Sequence, residues 1–234
     1  MSSLAPAQLP LSIGIRDDAR FANFHCGPNE HIVHALQQQW TTHGEPYLYV
    51  WGKSGVGCSH LLQAACHYAE GLGHHSIYLP LDELQHYGVE TLDGMEQIPL
   101  VALDRIDAVA GHADWEQALF HLFNRIRDRQ GHLLIAAQAA PNHIGVTLPD
   151  LCSRLSWGVV YGMTELDDVE KAKALQLRAR RRGLDMTDEV ARYVLTRGPR
   201  EMQALFDLLE RLDVASLSAQ RKLTIPFVKS SMGW

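Results

Sequence analysis

The chain has 234 residues, of which 46% are hydrophobic and 21% charged, and this balance is typical of a folded globular protein rather than a disordered one. A formal net charge of −6 argues against a protein that binds duplex DNA through a basic face. The four cysteines form no C-x-x-C pair and follow no signal peptide, so we expect reduced thiols in a cytoplasmic protein. No apolar run approaches the roughly 20 residues of a bilayer span, and the histidines lack the spacing of metal ligands.

Hydrophobic patterning divides the chain into three parts. Residues 1–20 contain two prolines and one short apolar run, which predicts a flexible N-terminal arm outside the core. Strands then alternate with amphipathic helices over residues 21–165, which predicts an α/β domain with a five-stranded parallel sheet. The predicted strands cover residues 47–51, 76–81, 98–103, 133–137 and 159–163. Residues 166–234 predict a small helical lid domain, with helices at 167–182, 187–196 and 200–212 and a short strand at 223–225.

A glycine-rich turn lies between the first predicted strand and the helix that follows it, which is the context of a phosphate-binding loop. Its glycines let backbone amides point at an anion, and the helix N-terminus adds its positive dipole end. The predicted nucleotide-binding residues here are Gly52, Ser54, Gly55, Val56, Gly57, Cys58, Ser59 and His60. Cys58 replaces the usual lysine of such a loop, so we expect weak affinity for a γ-phosphate. A glycine turn without a ligand is the alternative.

An acid, Asp104, comes directly after the third predicted strand. Beside the hydroxyl of Ser59 it could hold Mg²⁺ or a magnesium-bound water, although many strands simply end in aspartate at a turn. P-loop ATPases commonly carry a second acid at the next position, where this chain has Arg105, with Asp107 as the nearest substitute. The replaced lysine and the replaced acid together predict poor hydrolysis of the protein's own nucleotide.

Two arginines and an N-terminal segment are further candidates. Arg154 ends a short predicted helix before the last strand and could project across a subunit boundary, but spacing alone favours a plain surface arginine. Arg200 follows Gly198 and Pro199 at a predicted helix start, where it could reach a phosphate or simply be solvated. The arm contains an extended motif suited to docking in a partner's groove, or equally to folding back on its own domain: Gln8, Leu9, Leu11 and Ile13.

Taken together, these residues resemble the DnaA family of AAA+ proteins, and most closely its Hda-type regulators, from residues 21–24 to residues 220–228. Residues 93–96, residues 175–180 and the C-terminal run carry the resemblance most specifically, whereas the loop itself is not specific. The resemblance implies that Arg154 is a trans-acting arginine finger, that Arg200 senses nucleotide and that Gln138 is near the polar residue after the fourth strand. It also implies that residues 23–29 lie against the base, and that residues 8–13 bind the β sliding clamp of DNA polymerase III. Ile13 stands where a larger Leu or Phe is more usual.

The resemblance further implies a negative regulator of replication initiation. Such a protein binds the clamp, stimulates hydrolysis of DnaA-bound ATP and itself holds ADP or another nucleoside diphosphate. Because the chain ends soon after the lid, we expect no sequence-specific DNA binding. Two alternatives stay open: a self-hydrolysing AAA+ ATPase that remodels or loads a partner protein, and a nucleotide-gated adaptor without a catalytic contribution. A homo-oligomer is also compatible, because an arginine finger can lie between identical or different subunits.

Overall fold

A computed structural model describes residues 14–234. This part of the chain divides into two compact units, the first with residues 14–21 and 29–163 and the second with residues 22–28 and 164–234. The placement of residues 22–28 differs from the prediction of one continuous domain over 21–165. These residues pack in the second unit because His25 hydrogen-bonds Glu170 and because Arg181 donates to the carbonyl of Ala22.

The first unit is built on a five-stranded sheet in which every pairing is parallel, so the predicted α/β fold is confirmed. The strand order is β2-β3-β4-β1-β5. Each strand begins and ends within two residues of its prediction: β1 (Tyr47–Trp51), β2 (Ser76–Pro80), β3 (Leu100–Asp104), β4 (His132–Ala137) and β5 (Val159–Gly162). All residues of β3 are buried, whereas β5 pairs only with β1 among the described strands and is largely exposed. The sheet therefore presents β5 as an edge.

Five α-helices accompany the sheet in the described part of this unit: α1 (Glu30–Gln38), α2 (Cys58–Gly71), α3 (Leu81–Leu84), α4 (Ala113–Asp128) and α5 (Pro149–Leu155). One apolar face of α4 is buried against the sheet, with Leu122 and Ile126 fully inaccessible. Sequence analysis did not predict α1, although Ile32, Val33 and Leu36 bury one face of it.

The second unit contains the helices α6 (Asp168–Arg181), α7 (Asp188–Arg197), α8 (Met202–Ala219) and α9 (Ile225–Met232). Side chains of Asp167 and Thr187 accept hydrogen bonds from backbone amides at the starts of α6 and α7. The strand predicted at residues 223–225 is wrong. Thr224 instead caps α9 by accepting from the amide of Phe227, and Pro226 occupies the first turn, where a missing N–H has no cost.

Residues 16–20, which lie within the range predicted as a flexible arm, pack against α2 in the first unit. The amide of Arg16 donates to Oε1 of Gln63 at 3.1 Å, and its carbonyl is 3.0 Å from Nε2 of His67. The carbonyl of Arg20 is 3.1 Å from Nε2 of His60, and Ala19 is fully buried. Side chains of α2 thus bond three backbone polar groups of this segment. Among residues 14–234, no helix has the length and hydropathy of a membrane span.

Candidate nucleotide-binding site

The glycine-rich loop connects β1 to α2 at the carboxyl edge of the sheet. Gly55 and Gly57 have φ angles of +80° and +113°, which residues with a side chain rarely adopt. A Cβ on Gly52 would lie 2.6 Å from Cγ1 of Val56, so the loop needs glycine there as well. The first-turn amides of α2 have no intrahelical acceptors, and with the helix dipole they make this turn an anion site. The loop geometry is therefore that of a phosphate-binding loop.

Replacing Gly57 by alanine should weaken the binding of ADP by about tenfold or more. A side chain at φ +113° costs about 1–3 kcal/mol, so the loop would relax to another conformation and its amides would no longer converge. Titration with fluorescent ADP measures the effect. Gly71→Ala, at the other end of α2 with no atom within 4 Å of the added Cβ, is the matched control and should bind like the wild type. Equal affinity of Gly57→Ala and wild type would contradict this role of the loop.

Asp104 and Ser59, the two predicted magnesium ligands, lie together, and they are bonded to each other. The Ser59 hydroxyl donates to the Asp104 carboxylate. The Tyr78 hydroxyl donates to Oδ2 at 2.5 Å, and the amide of Arg105 donates to Oδ1 at 2.9 Å. Asp104 is only 2% exposed, and this burial raises its pKa although the three hydrogen bonds act in the opposite direction. The acid is thus enclosed by donors from the protein.

Neither of the two residues that replace the usual lysine and the usual second acid carries the charge of the residue it replaces. Burial raises the pKa of the Cys58 thiol to about 12, with smaller contributions from Asp104 and Asp107, so the thiol is neutral. Arg105 adopts a left-handed conformation with φ +56°, and its guanidinium lies 3.6 Å from both Asp82 and Asp107. Asp107 also accepts from the amide of Gln138 at 3.0 Å, while the Gln138 side chain is exposed. The nearest substitute for the second acid is therefore already bonded within the protein.

Sequence analysis missed Tyr78 and Gln63, which extend the contacts of Asp104. Gln63 is 6% exposed, and its side chain hydrogen-bonds the Tyr78 hydroxyl. Tyr78 is paired with Ala102 in the parallel register of β2 and β3, two positions before Asp104. The available sequence signal for Tyr78 was a hydroxyl-bearing residue two positions before the end of a strand. This signal could be interpreted only by knowing that β2 and β3 are neighbours.

Arg154 lies in the last turn of α5, shortly before the edge strand β5. Its guanidinium carbon is 5.0 Å from the ring centroid of Trp157 and 6.0 Å from that of Phe123. Trp157 is 47% exposed and also stacks near Tyr47 and Phe123. No carboxylate within residues 14–234 pairs with Arg154, whereas the neighbouring Arg127 is 3.1 Å from Asp128. Aromatic rings rather than an acid therefore hold this arginine, and sequence analysis did not identify Trp157.

Arg200 belongs to the second unit and precedes α8, which begins at Met202 with Glu201 as its N-cap. The prediction that it lies in the first helical turn is thus wrong. Its exposed side chain pairs with Asp168 at 3.1 Å, and its carbonyl accepts from Lys171 at 2.8 Å. Its nucleotide-sensing role stays a prediction.

The motif of Gln8, Leu9, Leu11 and Ile13 lies outside the described residues.

A metal cluster is not part of this candidate site: no group of three or more His, Cys, Asp or Glu side chains in the described range could hold an ion. The elements that do converge are a phosphate-binding loop after β1, an acid at the end of β3 and a sheet in which β4 separates these two strands. The described elements of the second unit after residue 164 are helices. This combination defines a P-loop protein of the AAA+ class.

Comparisons with known proteins agree with that class and narrow it. The bacterial DnaA ATPase-domain family matches residues 15–162, and the Hda lid-domain family matches residues 168–232. The chain belongs to the bacterial DnaA ATPase family and is an Hda/DnaA-like AAA+ protein.

Solved structures share the fold at low sequence identity. Domain III of the Thermotoga maritima replication initiation protein DnaA is 19% identical with a TM-score of 0.82, over 94% of this chain and 98% of that one. AMPPCP-bound DnaA from Aquifex aeolicus is 20% identical with a TM-score of 0.73, over 87% of this chain and 68% of that one. A variant of Thermotoga maritima RuvB is 12% identical with a TM-score of 0.68, over 92% and 73%.

Proposed function

We propose that this protein is a negative regulator of replication initiation that stimulates hydrolysis of ATP bound to the initiator DnaA. Arg154 acts in trans as the arginine finger, and the protein's own loop holds a nucleoside diphosphate, ADP in the first instance. Residues 8–13 bind the β sliding clamp. Membership of the DnaA ATPase family and the match of the second unit to the Hda lid support this proposal.

The observation that carries the proposal is the environment of Arg154. A finger must present an uncompensated guanidinium to the phosphates of another subunit, and a carboxylate partner would oppose this. Arg154 has no such partner in the described range and rests on the exposed ring of Trp157, beside the sheet edge β5. Cation–π contacts orient a guanidinium while they preserve its charge. Arginine fingers contribute about 10³–10⁵-fold in rate to phosphoryl transfer, which is sufficient for the proposed stimulation.

The protein's own nucleotide is proposed to be structural rather than turned over. The neutral Cys58 thiol supplies no positive charge for a γ-phosphate, and Arg105 replaces the acid that would activate water. Loop amides can still bind a diphosphate. A DnaA of the same fold binds AMPPCP, which supports a nucleotide at this loop. The competing proposal of a self-hydrolysing ATPase requires substantial ATP turnover by the isolated protein, which a steady-state phosphate-release assay measures directly.

Conversion of DnaA-bound ATP to ADP, followed with radiolabelled nucleotide in the presence of DNA-loaded clamp, tests the proposed function. We expect faster conversion when this protein is added. No acceleration at any clamp concentration would exclude the regulatory proposal.

The proposed clamp tether makes a separate prediction in the same assay. Gln8→Ala should weaken stimulation by about tenfold or more when clamp is limiting and little when clamp is in excess, because tethering raises local concentration without adding a catalytic contact. Ser2→Ala, in the same segment but outside the motif, is the control and should behave like the wild type. A Gln8→Ala defect that is equal at all clamp concentrations would contradict a tethering role.

A further inference from the structure

The nucleotide site contains a chain of hydrogen bonds that ends on the acid expected to serve magnesium. The amide of Arg16 donates to Oε1 of Gln63 at 3.1 Å, and the side chain of Gln63 hydrogen-bonds the Tyr78 hydroxyl. Tyr78 in turn donates to Oδ2 of Asp104 at 2.5 Å. Gln63 uses its oxygen for Arg16, so its NH₂ group is the donor to Tyr78. The Tyr78 proton is therefore directed at Asp104.

The Tyr78 hydroxyl is a permanent donor in this arrangement. An ionised carboxylate can only accept hydrogen bonds, so the phenol supplies the proton of the bond to Oδ2 of Asp104. A neutral, fixed donor on Oδ2 reduces the ability of that oxygen to bind a cation or a cation-bound water.

The remaining ligand positions are also engaged. Oδ1 of Asp104 accepts the Arg105 amide at 2.9 Å, and the Ser59 hydroxyl donates to the same carboxylate. Mg²⁺ requires near-octahedral oxygen ligands and releases its water reluctantly, so it does not easily displace several short protein hydrogen bonds. Both side chains expected to serve the metal are thus bonded within the protein.

Local charge also disfavours a divalent cation. The position after Asp104, where a second acid would add negative charge, holds the positive side chain of Arg105. This guanidinium draws Asp82 and Asp107 toward itself, with 3.6 Å separating it from each. These two carboxylates therefore do not assist Asp104, which is only 2% exposed, in attracting a metal. The donor set does not fit Mg²⁺.

We propose that the loop binds its nucleoside diphosphate without a divalent cation, and that Tyr78 is the specificity-determining residue that excludes the metal from Asp104. The inference rests on the proposed function only in requiring that the loop binds a nucleoside diphosphate. A phenylalanine at position 78 fills the same space but leaves Oδ2 without its donor. Nucleotide binding by this variant should therefore depend on metal, because Asp104, which Tyr78 blocks in the wild type, becomes available to a cation.

Equilibrium titration of fluorescent ADP, in millimolar MgCl₂ and in EDTA, tests the proposal. Wild type should bind ADP no more tightly in MgCl₂ than in EDTA. Tyr78→Phe should shift the ratio of the two affinities toward MgCl₂ by about tenfold, the equivalent of one hydrogen bond to a charged group. Tyr87→Phe, the same change at a residue that is 57% exposed, should leave the wild-type ratio unaltered. Thermal unfolding without nucleotide establishes that each variant is folded.

The outcomes separate the inference from the proposed function. Wild type that binds ADP tenfold more tightly in MgCl₂ overturns the inference, whatever the variants do, and leaves the proposed function standing. Equal ratios for wild type and a folded Tyr78→Phe overturn the role of Tyr78. Wild type that binds no ADP in either condition overturns the nucleotide assignment of the proposed function, and the inference with it. Mn²⁺ provides a second readout, because its electron paramagnetic resonance signal should report bound metal in Tyr78→Phe with ADP and not in the wild type.

Discussion

Arg154→Ala should abolish most of the stimulation of DnaA-bound ATP hydrolysis, with a loss of about 10³-fold or more in the stimulated rate. The guanidinium stabilises charge that develops on the transferred phosphoryl group, and nothing else in the described α5–β5 region replaces it. Single-turnover conversion of DnaA-bound ATP at saturating protein measures the chemical step. Arg154→Lys should recover little of the rate, because an ammonium neither stacks on Trp157 in the same way nor presents a planar fork of donors.

Arg127→Ala distinguishes finger chemistry from the general effect of positive charge on this surface. Arg127 also lies over the Trp157 ring, at 5.5 Å, but it pairs with Asp128. Its removal should cost far less than the loss of Arg154. Equal losses for the two variants would indicate electrostatic attraction of DnaA instead of catalysis. Full activity of Arg154→Ala would make the adaptor alternative the better description.

Much of the fold was predictable because each strand is a short apolar run between turn residues. The limits of β1 match the prediction, and the other strands differ by one or two residues. The failures have local physical causes. The run 223–225 has strand-like composition, yet Thr224 and Pro226 start a helix. Arg200 follows Pro199 but lies two residues before α8, which begins at Met202 after its N-cap residue Glu201.

The candidate site was predictable in part. The carboxyl ends of parallel strands share one edge, so the approach of Ser59 to Asp104 followed from the order of elements. The contacts of Tyr78 and Gln63 did not follow from the order of elements, because they depend on the pairing of β2 with β3 and on the face of α2 that packs against the sheet. The stacking of Arg154 on Trp157 likewise forms only once α5 ends and the chain turns toward β5. Hydrophobic periodicity contains no information on these polar contacts.

Glu116→Gln should lower the free energy of unfolding by about 3 kcal/mol. Glu116 lies on α4, is 1% exposed and was not predicted as a buried residue. Its carboxylate accepts from the amides of Gly111 and Leu148 at 2.7 Å, and from the hydroxyl and amide of Thr147 at 2.8 Å and 2.9 Å. These bonds fix the chain that leads into α5, and hence into Arg154. Glutamine keeps one oxygen but turns an NH₂ group toward backbone donors. Urea unfolding measures the loss, with Glu83→Gln at an exposed position as control.

The pH dependence of the Glu116→Gln defect identifies its source. Burial acts to raise the pKa of this carboxyl, but the hydrogen bonds from Thr147, Gly111 and Leu148 outweigh burial, so the pKa lies below its ordinary value of 4.5. A depressed pKa in the folded state means that the carboxylate contributes its full stability above about pH 4.5 and loses it as pH falls through the folded value. The difference between wild type and Glu116→Gln should therefore be constant near neutral pH and shrink on acidification below that value. A difference that stayed the same through this range would mean that shape, rather than the charge of the carboxylate, holds the segment before α5.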